Sequence, residues 1–174
     1  MAKLFEYSIN REYNWYAVYT RGNYEKVVEK DLSGQDIEVF LPRRKVLRTW
    51  VDRKKWIEEP LFRSYIFVRV SNREYYKVLQ HPSVLNFVSF NGKPAVIKPE
   101  QIDIIKRIIN NNISYTLTDS YIKPYQKVEV TDGPLKGYFG EVIKTEGKNQ
   151  LLVRIGHVYH SLIVQIQPGM LCLA

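Results

Sequence analysis

The stretch NWYAVYTRGNYEKVVEKDL, residues 14–32, contains the two patterns from which the fold of the first half is predicted. Residues 15–20 (WYAVYT) are aromatic and β-branched, which is typical of a strand. An Arg-Gly-Asn turn follows, and Asn23 can cap a helix that runs to about Leu32. A strand that leads into a short helix is a unit of layered α+β folds.

The alternation of strand and helix patterns continues for about 80 further residues. Residues 37–41 and 61–70 are strand-like, and the second is apolar enough for a buried central strand. Asn72 can cap a second helix, and Pro99 suits the first position of a third because it has no N–H to leave unpaired. The dipeptide Asn91-Gly92 favours a tight hairpin between two more strands. The order predicts an antiparallel sheet flanked by helices, which is an α+β domain.

The remainder of the chain is a polar segment followed by a β-rich region. Residues 110–122 (NNNISYTLTDSYI) are neither periodic nor apolar, which indicates a linker or an extended surface segment. Five short β-like runs follow, separated by turns rich in glycine and proline, and they predict a small five-stranded barrel. We therefore predict domains at residues 1–110 and 123–174, joined by a linker at 111–122. The five runs are 128–130, 140–144, 151–155, 160–166 and 170–173.

Length and composition limit the classes of protein. The 174 residues are 45% hydrophobic and 25% charged, which is a globular balance. The single cysteine, Cys172, excludes an intramolecular disulfide and a multi-cysteine zinc site. No apolar run approaches the ~18 residues of a membrane helix, and residues 1–15 lack the hydrophobic segment of a signal peptide. We expect a cytoplasmic protein with no membrane partner.

Much of the net charge of +8 lies in one window. Residues 43–55 (RRKVLRTWVDRKK) contain seven basic residues and one acidic residue, and they precede a predicted strand as a hairpin would. A concentrated positive patch attracts polyanions, and the interleaved Trp50 and Trp56 favour nucleic acid over the alternative, a solvated hairpin tip. The cations expected to contact nucleic acid are Arg43, Arg44, Lys45, Arg48, Arg53, Lys54 and Lys55.

The sequence contains no recognisable catalytic or cofactor motif. The glycines at 133–140 (GPLKGYFG) fit neither a P-loop nor a dinucleotide-binding fingerprint. His157 and His160 have a ligand-like spacing but too few further ligands for zinc. The adjacent Glu58 and Glu59 would point to opposite faces of a strand. We expect a binding protein that is not an enzyme and has no cofactor and no metal.

Two segments carry a family resemblance. Residues 124–144 (PYQKVEVTDGPLKGYFGEVIK) resemble a KOW motif, in which a strand leads to a Gly-Pro turn and a glycine precedes the returning strand. Residues 14–32, together with PLFRSYIFV at 60–68, resemble the N-terminal domain of NusG, often abbreviated NGN. The basic hairpin before Glu59 resembles that of the specialised paralogues RfaH and UpxY. The family usually has Pro and then a small residue after the Phe of the second segment, whereas here Arg63 and Ser64 follow Phe62. The KOW positions are Gly133, Pro134, Gly137 and Gly140.

The resemblance implies a transcription elongation and antitermination factor. Family N-terminal domains bind the clamp helices of RNA polymerase in an apolar depression and contact the non-template DNA strand of the transcription bubble. A KOW domain would recruit a ribosomal protein or Rho, and we expect a monomer. A KOW-type RNA-binding protein of ribosomal or translational type is the alternative. The implied polymerase contacts are Tyr19, Phe62, Tyr65 and Phe67, and further DNA contacts are Arg21, Lys26 and Lys30.

Overall fold

The computed structural model describes residues 12–50, 52–118, 126–145, 148–154, 158, 160–166 and 168–174. It is a mixed α+β structure with antiparallel sheets, so the predicted fold class is confirmed. No helix in these ranges is long and apolar enough to cross a membrane. The helices are α1 (Glu25–Ser33), α2 (Asn72–Leu79) and α3 (Pro99–Asn110), with a short 3₁₀ helix at Pro168–Met170.

The strands of the described ranges alternate with these helices in the first half and follow one another in the second. They are β1 (Asn14–Thr20), β2 (Glu38–Phe40), β3 (Arg43–Thr49), β4 (Lys54–Pro60), β5 (Tyr65–Val70), β6 (Val84–Phe87), β7 (Ser89–Phe90), β8 (Lys93–Pro94), β9 (Val96–Ile97), β10 (Tyr115–Thr118), β11 (Gln126–Val130), β12 (Phe139–Thr145), β13 (Lys148–Arg154), β14 (Ser161–Gln165) and β15 (Leu171–Leu173).

Contacts between Cα atoms divide the chain into two compact units. The first comprises the residues up to Leu41 and Pro60–Val96, and the second comprises Pro42–Glu59 and the residues from Ile97 onward. The basic hairpin and α3 therefore group with the C-terminal strands. The division at 1–110, 111–122 and 123–174 stays a prediction.

The first unit is an antiparallel sheet with α1 and α2 on one face. Its strand order is β2-β5-β1-β6 along the main path, so β5 is a central strand as predicted. Val18 and Ile66 lie opposite each other on β1 and β5 and are fully buried against Val28 of α1 and Val78 of α2. The aromatic rings of this unit are divided between this face and the opposite one, because successive strand residues alternate.

The helix caps differ from those predicted. The residue at the N-cap of α1 is Tyr24, which makes no side-chain cap hydrogen bond, and Asn23 instead adopts a positive φ of 67°. The cap of α2 is Ser71, one residue before the predicted Asn72. Ser71 forms a capping box with Glu74. The Ser71 hydroxyl oxygen accepts from the Glu74 backbone N–H, and the Glu74 carboxylate accepts from the Ser71 backbone N–H at 3.0 Å. A cap depends on where the chain turns, which the sequence pattern does not fix to one residue.

The strand predicted at 61–70 is shorter than expected. Residues 61–64 form a turn, Ser64 has a φ of 64°, and β5 begins only at Tyr65. Two other local predictions are confirmed. Asn91 and Gly92 both have positive φ in a turn between β7 and β8, and α3 begins at Pro99.

The C-terminal strands form one antiparallel sheet in the order β10-β14-β13-β12-β11-β15. All five predicted strands are present, from β11 to β15. Residues 115–118, which were predicted to belong to a linker or an extended surface segment, form β10 and pair with β14, with Leu117 opposite Leu162. Residues 119–122 of the predicted linker lie outside the described ranges.

Helix α3 hydrogen-bonds to this sheet region. The Gln101 side-chain amide donates to the carbonyl oxygen of Arg154 at 3.0 Å, and the Arg107 guanidinium donates to the carbonyl oxygen of Lys136 at 3.2 Å. The buried face of α3 is wholly aliphatic. It consists of Ile102, Ile104, Ile105 and Ile108.

Candidate partner and nucleic-acid interfaces

Two tyrosines lie side by side at one end of the first sheet. Tyr19 on β1 is directly opposite Tyr65 on β5, and their ring centroids are 5.2 Å apart with an interplanar angle of 56°. Tyr19 is 38% exposed and Tyr65 is half-buried. The pair, called the tyrosine pair below, therefore presents aromatic surface to solvent while each ring supports the other.

Phe62 and Phe67 are fully buried, with no accessible surface. Their rings meet edge to face with centroids 6.0 Å apart, and the Phe67 ring also lies 6.1 Å from the ring of Phe40. The expectation that Phe62 and Phe67 contact a partner directly is not supported by this arrangement. The turn before β5 directs Phe62 inward, so that both rings are core residues beside the more exposed tyrosine pair.

The backbone around the tyrosine pair is fixed by hydrogen bonds. The N–H of Thr20 donates to the carbonyl oxygen of Ser64 at 2.8 Å, and the N–H of Arg21 donates to that of Ser83 at 2.9 Å. The buried carboxylate of Glu25 accepts from the N–H of Ser64 at 2.7 Å. The exposed side chain of Arg21 therefore begins two residues after Tyr19 from a well-anchored position.

The two lysines of α1 are both exposed, as a DNA contact would require. Lys26 and Lys30 are four residues apart and so share one side of the helix. Glu25 is not a surface partner for them, because it is buried and bonded to Ser64. Within the first unit, the short segment from Tyr19 to Lys30 thus contains one ring of the tyrosine pair and the three cations expected to contact DNA.

The predicted basic hairpin exists as β3 and β4, seven residues each. The Trp50 N–H donates to the Arg53 carbonyl oxygen at 2.8 Å and closes its turn, which places Leu47 opposite Trp56. Strand alternation then defines two faces. The Arg44 face comprises Arg44, Val46, Arg48, Trp50, Arg53, Lys55, Ile57 and Glu59, and the Trp56 face comprises Arg43, Lys45, Leu47, Thr49, Lys54, Trp56 and Glu58.

The Arg44 face is tied together by internal contacts. Glu59 pairs with the guanidinium groups of both Arg44, at 3.7 Å, and Arg48, whose Nε donates to it at 2.8 Å. The guanidinium of Arg53 lies 5.8 Å from the ring centroid of Trp50, a cation–π distance. Burial raises the pKa of Tyr115 on β10 while the charge of Arg44 opposes that rise, so the base of this face lies near β10.

The Trp56 face is more open. Trp56 is 65% exposed and Leu47 is 44% exposed. Lys45 and Lys54 are exposed beside them, and at the base Arg43 lies 3.6 Å from Glu58. The charge count identified the cations of this face, but it gave no indication that Leu47 lies exposed beside Trp56. The alternation of residues along the hairpin is the signal that would have placed it beside Trp56.

The glycines of the KOW-like segment have the geometry that their positions require. Gly133 and Gly137 have φ values of +79° and +80°, a region that other residues rarely adopt. Pro134 follows Gly133 in a turn that the Lys136 N–H closes by donating to the Gly133 carbonyl oxygen at 3.1 Å, and the Gly137 N–H donates to the Val130 carbonyl oxygen at 2.7 Å. A Cβ atom on Gly140 would lie 2.7 Å from Cδ1 of Leu151, because the Leu151 side chain packs over this glycine.

Two residues near the start of α2 have structural roles. Glu74 is the partner of Ser71 in the capping box, and hydrogen bonds from Ser71 lower the pKa of its carboxyl group. Tyr75 stacks on the buried Phe87 with ring centroids 4.2 Å apart. In contrast, the neighbouring Tyr76 is exposed.

The described residues contain no group of three or more His, Cys, Asp or Glu side chains placed to hold a metal ion. His157, one of the two histidines with ligand-like spacing, lies outside the described ranges. Cys172 is exposed on β15.

Known proteins with similar sequences share one description. A family profile described as transcription termination factor nusG matches residues 13–106. A transcription termination/antitermination protein NusG of Xylella fastidiosa is 24% identical over 163 residues, covering 81% of this chain and 88% of that protein. The NusG protein of Staphylococcus epidermidis is 25% identical over 146 residues, covering 76% and 79%.

A solved structure has a similar fold. It is described as domain interaction in Thermotoga maritima NusG, and it matches with a TM-score of 0.52 and 22% identity over 92% of this chain and 96% of that one. This likeness agrees with the α+β sheet and the β-rich C-terminal region seen here. Because the family profile spans more than half of the 174 residues, the chain belongs to the NusG family of transcription termination and antitermination factors.

Proposed function

We propose that the protein is an elongation and antitermination factor of the specialised type, which binds RNA polymerase through residues 1–110 and recruits a second partner through a KOW domain at 123–174. The observation that carries the proposal is the tyrosine pair, Tyr19 and Tyr65, with the exposed Arg21 two residues after Tyr19. An aromatic surface beside a cation suits a site where a protein and a nucleic acid meet.

The tyrosine pair supports the polymerase contact. Exposed tyrosines that are held in place by neighbours are frequent anchors of protein interfaces, because they add contact area at little cost in side-chain entropy. Phe62 and Phe67 form the core beside them and act by supporting this surface. Binding the clamp helices would hold the polymerase clamp closed, which disfavours pausing and termination without a covalent step.

The exposed cations support contact with non-template DNA. Arg21, Lys26 and Lys30 belong to the first unit, and the hairpin adds seven more basic residues against Asp52, Glu58 and Glu59. Phosphate contacts by such side chains fix position on a strand without reading its sequence.

The C-terminal strands support recruitment of a protein. Residues 123–174 contain six basic and four acidic residues, a net charge too small for strong binding to nucleic acid. Phe139 on β12 and Leu173 on β15 are large apolar side chains that remain exposed. A ribosomal protein or Rho is the proposed partner.

The test is co-purification of the full chain with core RNA polymerase at two ionic strengths. The double variant Tyr19→Ala with Tyr65→Ala should bind at least about 30-fold more weakly, because truncating an anchor costs about 2 kcal/mol or more. Phe90→Ala is the control, since Phe90 is an exposed aromatic on β7, which pairs with β8 and not with the strands of the tyrosine pair. Binding that is unchanged in the double variant would remove the basis of the proposal.

The exposed cations of the hairpin would also suit an alternative function, that of a KOW-type RNA-binding protein. RNA binding through six or seven cations would weaken steeply with salt, with a log–log slope of about −0.7 per phosphate contact. An aromatic-anchored contact with polymerase responds much less. A retained polymerase complex at the higher ionic strength therefore separates the two functions.

A further inference from the structure

We infer that the Trp56 face of the hairpin binds single-stranded DNA, with one base stacked on Trp56 and the adjacent phosphates held by Lys45 and Lys54. This inference deepens the proposed DNA contact and rests on it. The proposed function involves all seven cations of the hairpin, whereas this inference assigns the contact to one face, with one stacking ring and two ammonium groups.

The two faces of the hairpin differ in how far their charges are already compensated. On the Arg44 face, Glu59 pairs with both Arg44 and Arg48. On the Trp56 face, Lys45 and Lys54 form no ion pair with any residue of the described ranges, and the pair of Arg43 and Glu58 lies at the base. Of the other two cations on the Arg44 face, Arg53 lies over the Trp50 ring, which leaves Lys55 as the one cation of that face with neither an ion pair nor a ring contact among the described residues. The Trp56 face has two such cations, Lys45 and Lys54.

The two tryptophans also differ in whether their ring faces are available. The Trp50 ring already has the guanidinium of Arg53 5.8 Å from its centroid. Trp56 has no aromatic or cationic ring partner among the described residues and is the more exposed of the two. A base can therefore stack on Trp56 without displacing an existing contact, whereas at Trp50 it would compete with Arg53.

The arrangement of aromatic ring and ammonium groups fits a single strand better than a duplex. Proteins bind single strands by combining a positively charged track for the backbone with aromatic side chains on which unpaired bases stack. In a duplex the base faces are stacked on one another and not available. Leu47, directly across from Trp56, extends the apolar platform beside the ring, and the lysines flank it along both strands.

The experiment measures binding of the full chain to a fluorescein-labelled dT15 oligonucleotide by anisotropy. Trp56→Ala should weaken binding about tenfold, because stacking is worth about 1–3 kcal/mol per base. Trp56→Phe should retain most of the affinity, since a ring remains. Trp50→Ala is the matched control and should change the dissociation constant by less than about twofold, as expected for a ring outside the contact.

Lys54 and Lys55 provide a second matched pair, because they are adjacent, equally charged and on opposite faces. Lys54→Gln should reduce the magnitude of the log–log salt slope by about 0.7, the loss of one phosphate contact, while Lys55→Gln leaves it unchanged. Equal effects of Lys54→Gln and Lys55→Gln would overturn the assignment to one face. An unchanged affinity in Trp56→Ala would overturn the stacking.

Two further outcomes decide the ligand. Tighter binding of rU15 than of dT15 would overturn the assignment to DNA, and no binding of either oligonucleotide would leave the face to an acidic protein surface. Failure here is distinguishable from failure of the proposed function, because co-purification with polymerase depends on Tyr19 and Tyr65. If the chain co-purifies with polymerase but does not bind dT15, the stacking site is overturned and the proposed function stands.

Discussion

The carboxylate of Glu25 accepts a hydrogen bond from the backbone N–H of Ser64, with an N–O distance of 2.7 Å. Glu25 is buried in the first turn of α1, and Ser64 precedes β5 with a φ of 64°. Since the Ser64 carbonyl oxygen also accepts from Thr20, this one residue connects β1, α1 and β5. The position of the tyrosine pair depends on that connection.

Replacing Glu25 by Ala should lower the free energy of unfolding by about 1–3 kcal/mol, because the partly buried Ser64 N–H would lose its hydrogen-bond acceptor. Glu25→Gln keeps an acceptor oxygen and should retain most of the stability. Urea denaturation followed by circular dichroism measures both. Equal stability of Glu25→Ala and the parent chain would show that this bond contributes nothing.

Phe62→Ala should destabilise the protein by about 3–5 kcal/mol, the usual cost of removing a fully buried ring. Tyr19→Ala should cost only about 1 kcal/mol, because its ring is partly exposed and loses mainly the contact with Tyr65. Thermal or urea denaturation of the two variants compares these costs. If the order were reversed, Phe62 would not be a core residue.

Gly140→Ala should destabilise the C-terminal strands by about 1–3 kcal/mol, because the added methyl group overlaps a packed side chain. Its Cβ would lie 2.7 Å from Leu151 Cδ1 and 3.1 Å from Tyr138 Cε1, and Leu151 is fully buried and cannot move aside freely. Gly169→Ala is the control, since no atom lies within 4 Å of the corresponding Cβ position. Similar melting temperatures for the two variants would contradict the predicted overlap.

Tyr138 should make the stability fall at alkaline pH. Burial, together with the nearby Glu141 charge, raises the pKa of Tyr138 to about 12. Between pH 10 and about 12 the unfolded chain releases this phenol proton while the folded chain keeps it. The free energy of unfolding should therefore decrease by up to about 1.4 kcal/mol per pH unit in that window.

Tyr138→Phe provides the control for this alkaline loss. The variant has no phenol at position 138, so its stability should decrease less steeply over the same pH range. Denaturant titrations at several pH values between 9 and 12 measure the difference. Identical slopes for the two chains would mean that Tyr138 titrates normally when folded.

Local patterns predicted most of the secondary structure. The five C-terminal strands, the Asn91-Gly92 turn and the start of α3 at Pro99 follow from short-range preferences of backbone and side chain. Pairing between strands depends on distant partners. Residues 115–118 (YTLT) are β-prone but lie in a polar segment without clear periodicity, and they form β10 by pairing with β14.

The candidate site was predicted less completely than the fold. The resemblance implied four aromatic residues around β1 and β5 as polymerase contacts. The structure divides them into Tyr19 and Tyr65, which are at least partly exposed, and Phe62 and Phe67, which are fully buried. The sequence identified the seven cations of the hairpin, but not that Glu59 pairs with two of them. Exposure and pairing are set by which segments pack together, not by residue type.

The sequence by itself determined most of the order of strands and helices, the tight turn at Asn91-Gly92 and the location of the positive charge, because each depends on residues close together in the chain. Only the tertiary structure decided that Tyr19 and Tyr65 share a surface, that Phe62 is buried against Phe67, and that Trp56 is more exposed than Trp50, whose ring has Arg53 beside it. These relationships arise when β-strands distant in sequence align and when a turn fixes their register, and no local pattern encodes that alignment.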